Sequence, residues 1–275
     1  MIKVEDVYFT YPSGVEALTD VSVEIPDNEF VAIMGENGAG KSTLIKHFNG
    51  LLKPSRGEVY IDGVNTRKAS VAELSRNVGL VFQNPDHQLF CETVEEEIAF
   101  GLRNFGFKEN VMAERIEWAL EFLDLNRYRK TSPFMLSGGE RKRVALATIL
   151  AWDPKIIVVD EPTIGQDYAQ KEKLRRFIMQ LKAQGRTVVM VTHDVEFVAD
   201  CAPRVIIMSR GNIVADGQAR EILTDEEMLL KASIFPPQIS KILYELSDLG
   251  LRKDVIDIYE AEKIIEDLIK RGIVS

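Results

Sequence analysis

An apolar run, a glycine-rich loop and a Lys-Ser pair follow one another near the N-terminus. The run Phe30–Met34 is typical of a buried strand, and the segment from Thr43 onward favours a helix. Strand, glycine loop, Lys-Ser and helix in this order form the P-loop pattern, in which glycines let backbone N–H groups close around phosphate oxygens. The helix N-terminus adds about half a positive charge beside the same anion. The alternative is a glycine-rich turn without a ligand.

This pattern predicts an α/β fold organised around a phosphate site. We expect Lys41 to reach the β- and γ-phosphates of a nucleotide and Ser42 to bind Mg²⁺. The candidate nucleotide-binding residues of the loop are Gly35, Glu36, Asn37, Gly38, Ala39, Gly40, Lys41, Ser42 and Thr43.

Three further apolar runs end in polar residues. Ile156-Ile157-Val158-Val159 leads into Asp160-Glu161, which is a Walker B pattern: Asp160 can hold Mg²⁺ and Glu161 can orient or deprotonate a water. Residues 78–82 lead into Gln83, and residues 188–191 lead towards His193. Strand ends are where α/β proteins place ligand contacts, although Gln83 can equally cap its strand and His193 can cap the next helix.

A second anion site is suggested by Ser137-Gly138-Gly139. A strong helix-forming segment begins immediately afterwards, so these residues lie at a helix N-terminus with free N–H groups and a hydroxyl. A serine N-cap without a ligand is the alternative explanation.

The remaining segments differ in the secondary structure that their residue patterns predict. Residues 2–34 alternate like strands, and residues 93–151 have helical periodicity that interrupts the β/α pattern. Thr93 and Glu96 resemble a capping box at the start of that block. Pro236-Pro237 marks a boundary. We therefore predict a main domain over 1–235, with a helical subdomain at about 93–151, and a small extension over 236–275.

The net charge, the lengths of the apolar runs and the cysteine spacing disfavour some classes of protein. The 275-residue chain has a net charge of −9, which disfavours a nucleic-acid partner. It has no run of eighteen apolar residues and no apolar core of a signal peptide near Met1. Cys91 and Cys201 lack CxxC spacing, so we expect reduced thiols in a cytosolic protein.

Taken in order, these motifs resemble those of ATP-binding-cassette ATPases over roughly residues 1–230. The resemblance implies a P-loop NTPase core with an N-terminal antiparallel β-subdomain, an inserted helical subdomain and a small C-terminal α extension. It makes Glu161, His193, Lys41 and Gln83 catalytic, with ATP and Mg²⁺ bound. It assigns the metal to Ser42, Gln83 and Asp160, and the signature to Leu136–Glu140. Glu140 and Gln166 depart from the commoner Gln and Leu.

By the same resemblance, Tyr11 stacks on adenine. From the residues alone, packing with Tyr8 and Phe9 is an equal alternative. The resemblance further implies that two cassettes sandwich two ATP molecules head to tail, so that Ser137, Gly138 and Gly139 of one subunit face the phosphate loop of the other. The partner cassette is either an identical chain or a paralogue.

A narrower resemblance concerns residues 82–90 and 93–101, which are similar to segments of energy-coupling-factor transporter ATPases. Those transporters import vitamins or nickel and cobalt ions. The resemblance implies an integral membrane coupling subunit, a substrate-binding membrane subunit and a place on the cytoplasmic face of the membrane. The residues after Pro237 resemble an extension that helps the ATPases pair. The alternatives are a soluble ABC ATPase unconnected to transport and a non-catalytic nucleotide-binding module.

Three consecutive glutamates, Glu95, Glu96 and Glu97, carry one more expectation. Acidic residues suit the start of a helix, but neighbours on a helix point about 100° apart, so the three cannot all face one partner. We expect at least one of them to pair with an arginine of the membrane coupling subunit, with Ile98 and Phe90 as apolar contacts beside it.

Overall fold

The computed structural model describes residues 1–201 and 203–270. Its N-terminal part is a four-stranded antiparallel sheet in the order β2-β1-β4-β5. The strands are β1 Ile2–Thr10, β2 Glu16–Ile25, β4 Arg56–Ile61 and β5 Val64–Asn65. Val4 pairs with Val23 on one side and with Val59 on the other. All three valines are buried, so the alternating apolar residues of these strands form one covered face.

The second sheet has six strands in the order β10-β9-β3-β8-β7-β6. Its strands are β3 Phe30–Met34, β6 Val78–Val81, β7 Ile156–Asp160, β8 Thr187–Val191, β9 Arg204–Ser209 and β10 Asn212–Gln218. Pairing is parallel from β9 to β6, and only β10 runs antiparallel, as the hairpin partner of β9. Every residue of β3, β7 and β8 is buried, because helices or the other sheet cover both faces. The carboxyl ends of β3, β7 and β8 therefore meet at one edge.

Helices complete the core. They are α1 Lys41–Phe48, α2 Val71–Leu74, α3 Val94–Asn104, α4 Glu109–Phe122, α5 Gly138–Leu150, α6 Tyr168–Ala183, α7 Val195–Cys201, α8 Ala219–Leu223 and α9 Glu226–Lys231. Helix α1 is buried between the two sheets, with Leu44 and Phe48 in a cluster shared with β1 and β3. Helices α3, α4 and α5 contribute to a second cluster on the other face of the large sheet. The helical block predicted for residues 93–151 is thus present as three consecutive helices.

The first turn of α3 differs from the predicted capping box. Thr93 caps the helix by accepting from the N–H of Glu96 at 3.2 Å, but the side chain that reaches back is that of Glu97. Its Oε2 accepts from the N–H groups of Phe90 at 2.8 Å and Cys91 at 2.6 Å. Because the chain folds back over the helix start, the partners of this acidic side chain are the two loop amides.

The C-terminal segment contains α10 Gln238–Glu245 and α11 Ile258–Lys270. It has a small core of its own, formed by Leu243, Val255 and Ala261. Arg220 of α8 holds it by an ion pair to Glu260, Nη2 to Oε2, at 2.5 Å. Residues 271–275 of the predicted extension lie outside the described residues. Among the helices in the described ranges, none has the length and apolar character needed to cross a membrane.

Candidate active site at the carboxyl edge of the large sheet

The glycine loop between β3 and α1 has a backbone that only glycine can adopt at two positions. Gly35 has φ +147°, and a Cβ there would lie 2.1 Å from the Met208 carbonyl oxygen. Gly40 has φ +99° and caps α1, and its Cβ would lie 2.5 Å from the Ala17 carbonyl oxygen. The first N–H groups of α1 therefore face the loop, which is the arrangement that binds phosphate.

Lys41 is the first residue of α1 and its side chain folds over the loop. Its Nζ donates to the carbonyls of Gly35 at 2.7 Å and Glu36 at 2.9 Å. The residue is only 7% exposed, and this burial lowers the pKa of the ammonium, while the charges of Glu161 and Asp160 act to raise it. The ammonium thus lies between the loop and two carboxylates, where an anion would compensate it.

The end of β7 supplies those two carboxylates. Asp160 is 6% exposed and its Oδ1 has no hydrogen-bond partner among the described residues. Burial raises the pKa of Asp160, with a further increase from the Glu161 charge, while a hydrogen bond with Ser42 lowers it. A buried carboxylate oxygen without a partner, beside a hydroxyl, is suited to a hard cation such as Mg²⁺.

Glu161 directly follows the strand in the left-handed region, with φ +50°. Its Oε1 lies 3.0 Å from Nδ1 of His193, which follows β8 by two residues. The other oxygen, Oε2, is buried without a hydrogen-bond partner in the described part of the chain. The side chain of His193 is 59% exposed, so it stands at the open side of the site. A carboxylate with one oriented and one free oxygen is arranged to accept a proton.

Tyr11 lies beside the first turn of α1. Its hydroxyl hydrogen-bonds with Oγ1 of Thr43 at 3.0 Å, and its ring meets Phe9 edge-on with centroids 4.9 Å apart. Tyr8 instead lies against Arg56. The packing alternative therefore holds for Phe9 but not for Tyr8, and it places the Tyr11 ring next to the phosphate-loop helix.

The predicted second anion site is the N-terminus of α5. Ser137 caps this helix in a full capping box: its hydroxyl donates to Oε2 of Glu140 at 2.7 Å, and its N–H donates to the same oxygen at 2.9 Å. Tyr128 donates to the other oxygen of Glu140, and these hydrogen bonds lower the pKa of Glu140 to about 2. Within this chain, the N-cap explanation of Ser137 is therefore the one observed.

Gln83 is exposed and lies two residues beyond β6. It lines a cleft on the α5 side of the site together with Ser137, Gly139, Lys142, Ile164 and Gln170. The structure thus brings Lys41, Ser42, Asp160, Glu161 and His193 together, and it places Gln83 with the Ser-Gly-Gly segment. Lys142 was missed by sequence reasoning, because a lysine in an amphipathic helix normally faces water.

A phosphate loop, two buried carboxylates and a histidine at adjoining strand ends define a P-loop nucleoside-triphosphatase. The family model for the ABC transporter matches residues 18–164. The chain belongs to the ABC transporter family and is one of its ATPases. The resemblance drawn from the motifs and the expected fold class are both confirmed.

Individual relatives show which type of ABC ATPase the chain resembles. The chain is 40% identical over 282 residues to the energy-coupling factor transporter ATP-binding protein EcfA2 of Clostridium perfringens, covering 98% of this chain and 99% of that protein. The structure of cbiO1 from Clostridium perfringens, described as part of the transporter complex cbiONQ, matches with 31% identity and a TM-score of 0.74. That match covers 90% of this chain and 98% of the other. The chain is therefore an ATPase of the energy-coupling-factor type.

Other matches show the wider family. A dimeric ATP-binding cassette, MJ0796, in a post-hydrolysis state bound to ADP and Pi, is 33% identical with a TM-score of 0.73. The match covers 80% of this chain and 99% of that one. Some relatives are longer: the chain spans 42% of a putative ABC transporter ATP-binding protein of Caldanaerobacter subterraneus, with 44% identity over 239 residues.

Proposed function

We propose that this ATPase works in a head-to-tail pair of cassettes and powers uptake of a vitamin or of a nickel or cobalt ion through membrane partners. The observation that carries the proposal is the convergence of Lys41, Asp160, Glu161 and His193 at one edge of the large sheet. ATP is the substrate that fits a phosphate loop beside paired carboxylates.

The residues have distinct roles in hydrolysis. Glu161 Oε2, the free oxygen, takes a proton from the attacking water, while His193 holds the other oxygen in place. Lys41 exchanges its two loop carbonyls for phosphate oxygens. Ser42 and Asp160 would hold Mg²⁺, which neutralises charge on the triphosphate. Gln83 would join them by turning towards the ion from its cleft beside α5.

The second cassette completes the site. The exposed N-terminus of α5, with Ser137, Gly138 and Gly139, faces the phosphates of the partner's ATP, while Tyr11 faces the adenine of its own nucleotide. For Ser137 to donate to a phosphate, its hydroxyl turns away from Glu140. The dimeric state of the cassette MJ0796 bound to ADP and Pi supports the pairing of two cassettes. An identical chain and a paralogue both fit as the partner.

The division into a domain over 1–235, with its helical subdomain at about 93–151, and an extension over 236–275 belongs to the same proposal. The segment from 235 onward exposes several large apolar side chains, which a partner subunit would cover. They are Phe235, Ile242, Tyr244, Leu246, Ile258, Tyr259 and Ile269. We assign the extension to pairing of the two ATPases.

The membrane subunits dock beside α3, which places the protein on the cytoplasmic face of the membrane. Phe90 and Phe100 meet edge-on, with centroids 4.7 Å apart, and are 59% and 41% exposed. Ile98 is fully buried, so the expectation that it contacts the partner is wrong. Phe90 and Phe100 supply the apolar contact instead.

The three consecutive glutamates have different surroundings. Glu95 pairs with Arg129 at 2.7 Å and with Lys130, and Glu97 binds loop amides. Glu96 is exposed and has no ion pair among the described residues. Glu96 is therefore the glutamate available to an arginine of the coupling subunit.

The test of the shared site uses two inactive chains. Gly139→Asp places a carboxylate beside the partner's phosphates but should leave nucleotide binding intact, whereas Lys41→Ala disables the chain's own phosphate loop. In a mixed dimer, one site carries both lesions and the other carries none, so part of the ATPase activity should return on mixing. If mixtures at all ratios remain as inactive as each variant alone, the independent shared sites proposed here are refuted.

A further inference from the structure

Lys142 connects the signature helix α5 to the loop that carries the candidate catalytic carboxylate. It lies five residues after Ser137. Its Nζ donates to the carbonyl oxygen of Glu161 at 3.3 Å and to that of Ile164 at 2.5 Å. Among the described residues, no carboxylate forms an ion pair with it at 4.0 Å or less. One ammonium therefore joins two main-chain carbonyls of the loop after β7.

The backbone of this loop adopts an unfavourable conformation that neighbouring residues must stabilise. Glu161 has φ +50° and Gly165 has φ +72°, and a left-handed glutamate persists only where contacts determine it. The N–H of Glu161 donates to the Val191 carbonyl at 2.8 Å, which fixes one side of the residue. Lys142 binds the carbonyl on the other side. A charged donor makes a stronger hydrogen bond than a neutral one, so Lys142 is a principal restraint on this peptide.

The first turn of α5 meets the same loop at a second point. A Cβ on Gly139 would lie 3.3 Å from Oε1 of Gln170 and 3.7 Å from Nε2 of Gln166. Gln166 belongs to the loop, and Gln170 lies in the first turn of α6. Helix α5 therefore lies beside this loop at its N-terminus and contacts it at Lys142.

The pKa of Lys142 is consistent with a place beside the Glu161 carboxylate. Burial lowers the pKa of the Lys142 ammonium, and the negative charge of Glu161 acts to raise it. The ammonium is thus close enough to sense the carboxylate, although its hydrogen bonds go to main-chain oxygens.

We propose that Lys142 is a positioning residue for ATP hydrolysis, which transmits the position of α5 to the Glu161 carboxylate. The inference rests on the proposed function, in which the N-terminus of α5 binds the partner's ATP while Glu161 serves the ATP of its own chain. When α5 closes on the partner's nucleotide, Lys142 carries the Glu161 peptide with it. Each chain thereby aligns its own catalytic carboxylate only when its signature segment is engaged.

The first test compares Lys142→Met with Lys173→Met in the full-length chain. Lys173 is an exposed lysine of α6 and controls for loss of one positive charge near the site. Lys142→Met should lower kcat about 10- to 100-fold, the range for a lost charge-assisted hydrogen bond, with KM for ATP unchanged. Lys142→Arg, which keeps a cationic donor, should recover part of the rate. Lys173→Met should hydrolyse ATP like the parent chain.

The second test asks whether Lys142 acts through Glu161. In a Glu161→Gln background, Lys142→Met should slow the residual turnover no further, because the group that it positions has lost its basicity. A multiplicative loss in the double variant, or a raised KM with unchanged kcat, would overturn the inference. Thermal unfolding of each variant identifies a folding defect, and Lys142→Gln, which keeps a neutral donor, then replaces Lys142→Met with an intermediate rate expected.

The two proposals fail in different ways. If Glu161→Gln hydrolyses ATP as fast as the parent chain, the proposed role of Glu161 is wrong. If Glu161→Gln is inactive while Lys142→Met is fully active, only the positioning role of Lys142 is wrong.

Discussion

Replacing Glu161 by Gln removes a base while keeping the size and shape of the side chain. Glu161 is 6% exposed, with Oε1 at 3.0 Å from His193 and with Oε2 free of partners in the described part of the chain. The amide of glutamine can keep the contact with His193. It cannot accept a proton from water at the position of Oε2, so the variant loses the chemistry and retains the geometry.

The expected loss in turnover is about 100- to 10,000-fold, the range for a missing general base. At about 1.36 kcal/mol per factor of ten, this raises the barrier by about 2.7 to 5.4 kcal/mol. ATP affinity should stay near that of the parent chain, because Lys41 contacts the loop carbonyls and not the Glu161 side chain. The variant should therefore accumulate as an ATP-bound dimer.

Stability should change little. Asp160 and Glu161 are adjacent buried carboxylates, and the charge of Glu161 contributes to the raised pKa of Asp160. The same charge acts to raise the pKa of the Lys41 and Lys142 ammonium groups. Because the substitution removes both the repulsion and these attractions, the free energy of unfolding of the ligand-free chain should stay close to that of the parent chain.

Three measurements check this prediction: steady-state phosphate release, binding of a fluorescent ATP analogue, and unfolding in urea. Glu92→Gln, an exposed position outside the site, is the matched control. Near-normal phosphate release by Glu161→Gln would refute the general-base role. Weak ATP binding by this variant would show instead that the carboxylate acts in substrate binding.

Three further predictions concern Glu97, Asp160 and Glu96. Glu97→Ala removes the acceptor for the amides of Phe90 and Cys91 and should cost about 2 to 4 kcal/mol of stability in urea unfolding, whereas Glu92→Ala should cost little. Asp160→Asn should raise the melting temperature of the ligand-free chain at pH 7, because burial raises the pKa of Asp160 and so penalises its charged form. This gain in melting temperature should vanish as the pH falls towards 3.8, because the carboxyl group of the folded parent chain is then protonated. Glu96→Lys should weaken copurification with the membrane subunits without changing stability, whereas Glu95→Lys should lower the melting temperature by breaking the pairs with Arg129 and Lys130. Normal assembly of Glu96→Lys would place docking elsewhere.

The sequence by itself determined the parts of this protein that depend on neighbouring residues. The glycine loop, its position between a buried strand and a helix, and the polar residues at strand ends were all readable, because local backbone conformation and strand polarity follow from short segments. Parallel pairing then brings the ends of β3, β7 and β8 to one edge, so Lys41, Asp160, Glu161 and His193 lie together there.

Only the tertiary structure decided which side chains are free and which are engaged. Glu95, Glu96 and Glu97 are identical in the sequence, yet one pairs with residues more than thirty positions away, one is exposed and one is buried. For the same reason, Ile98 was wrongly expected to contact a partner, and the contacts of Lys142 were missed. Helical periodicity shows which residues share a face, but the partner of that face is chosen by packing between segments distant in sequence.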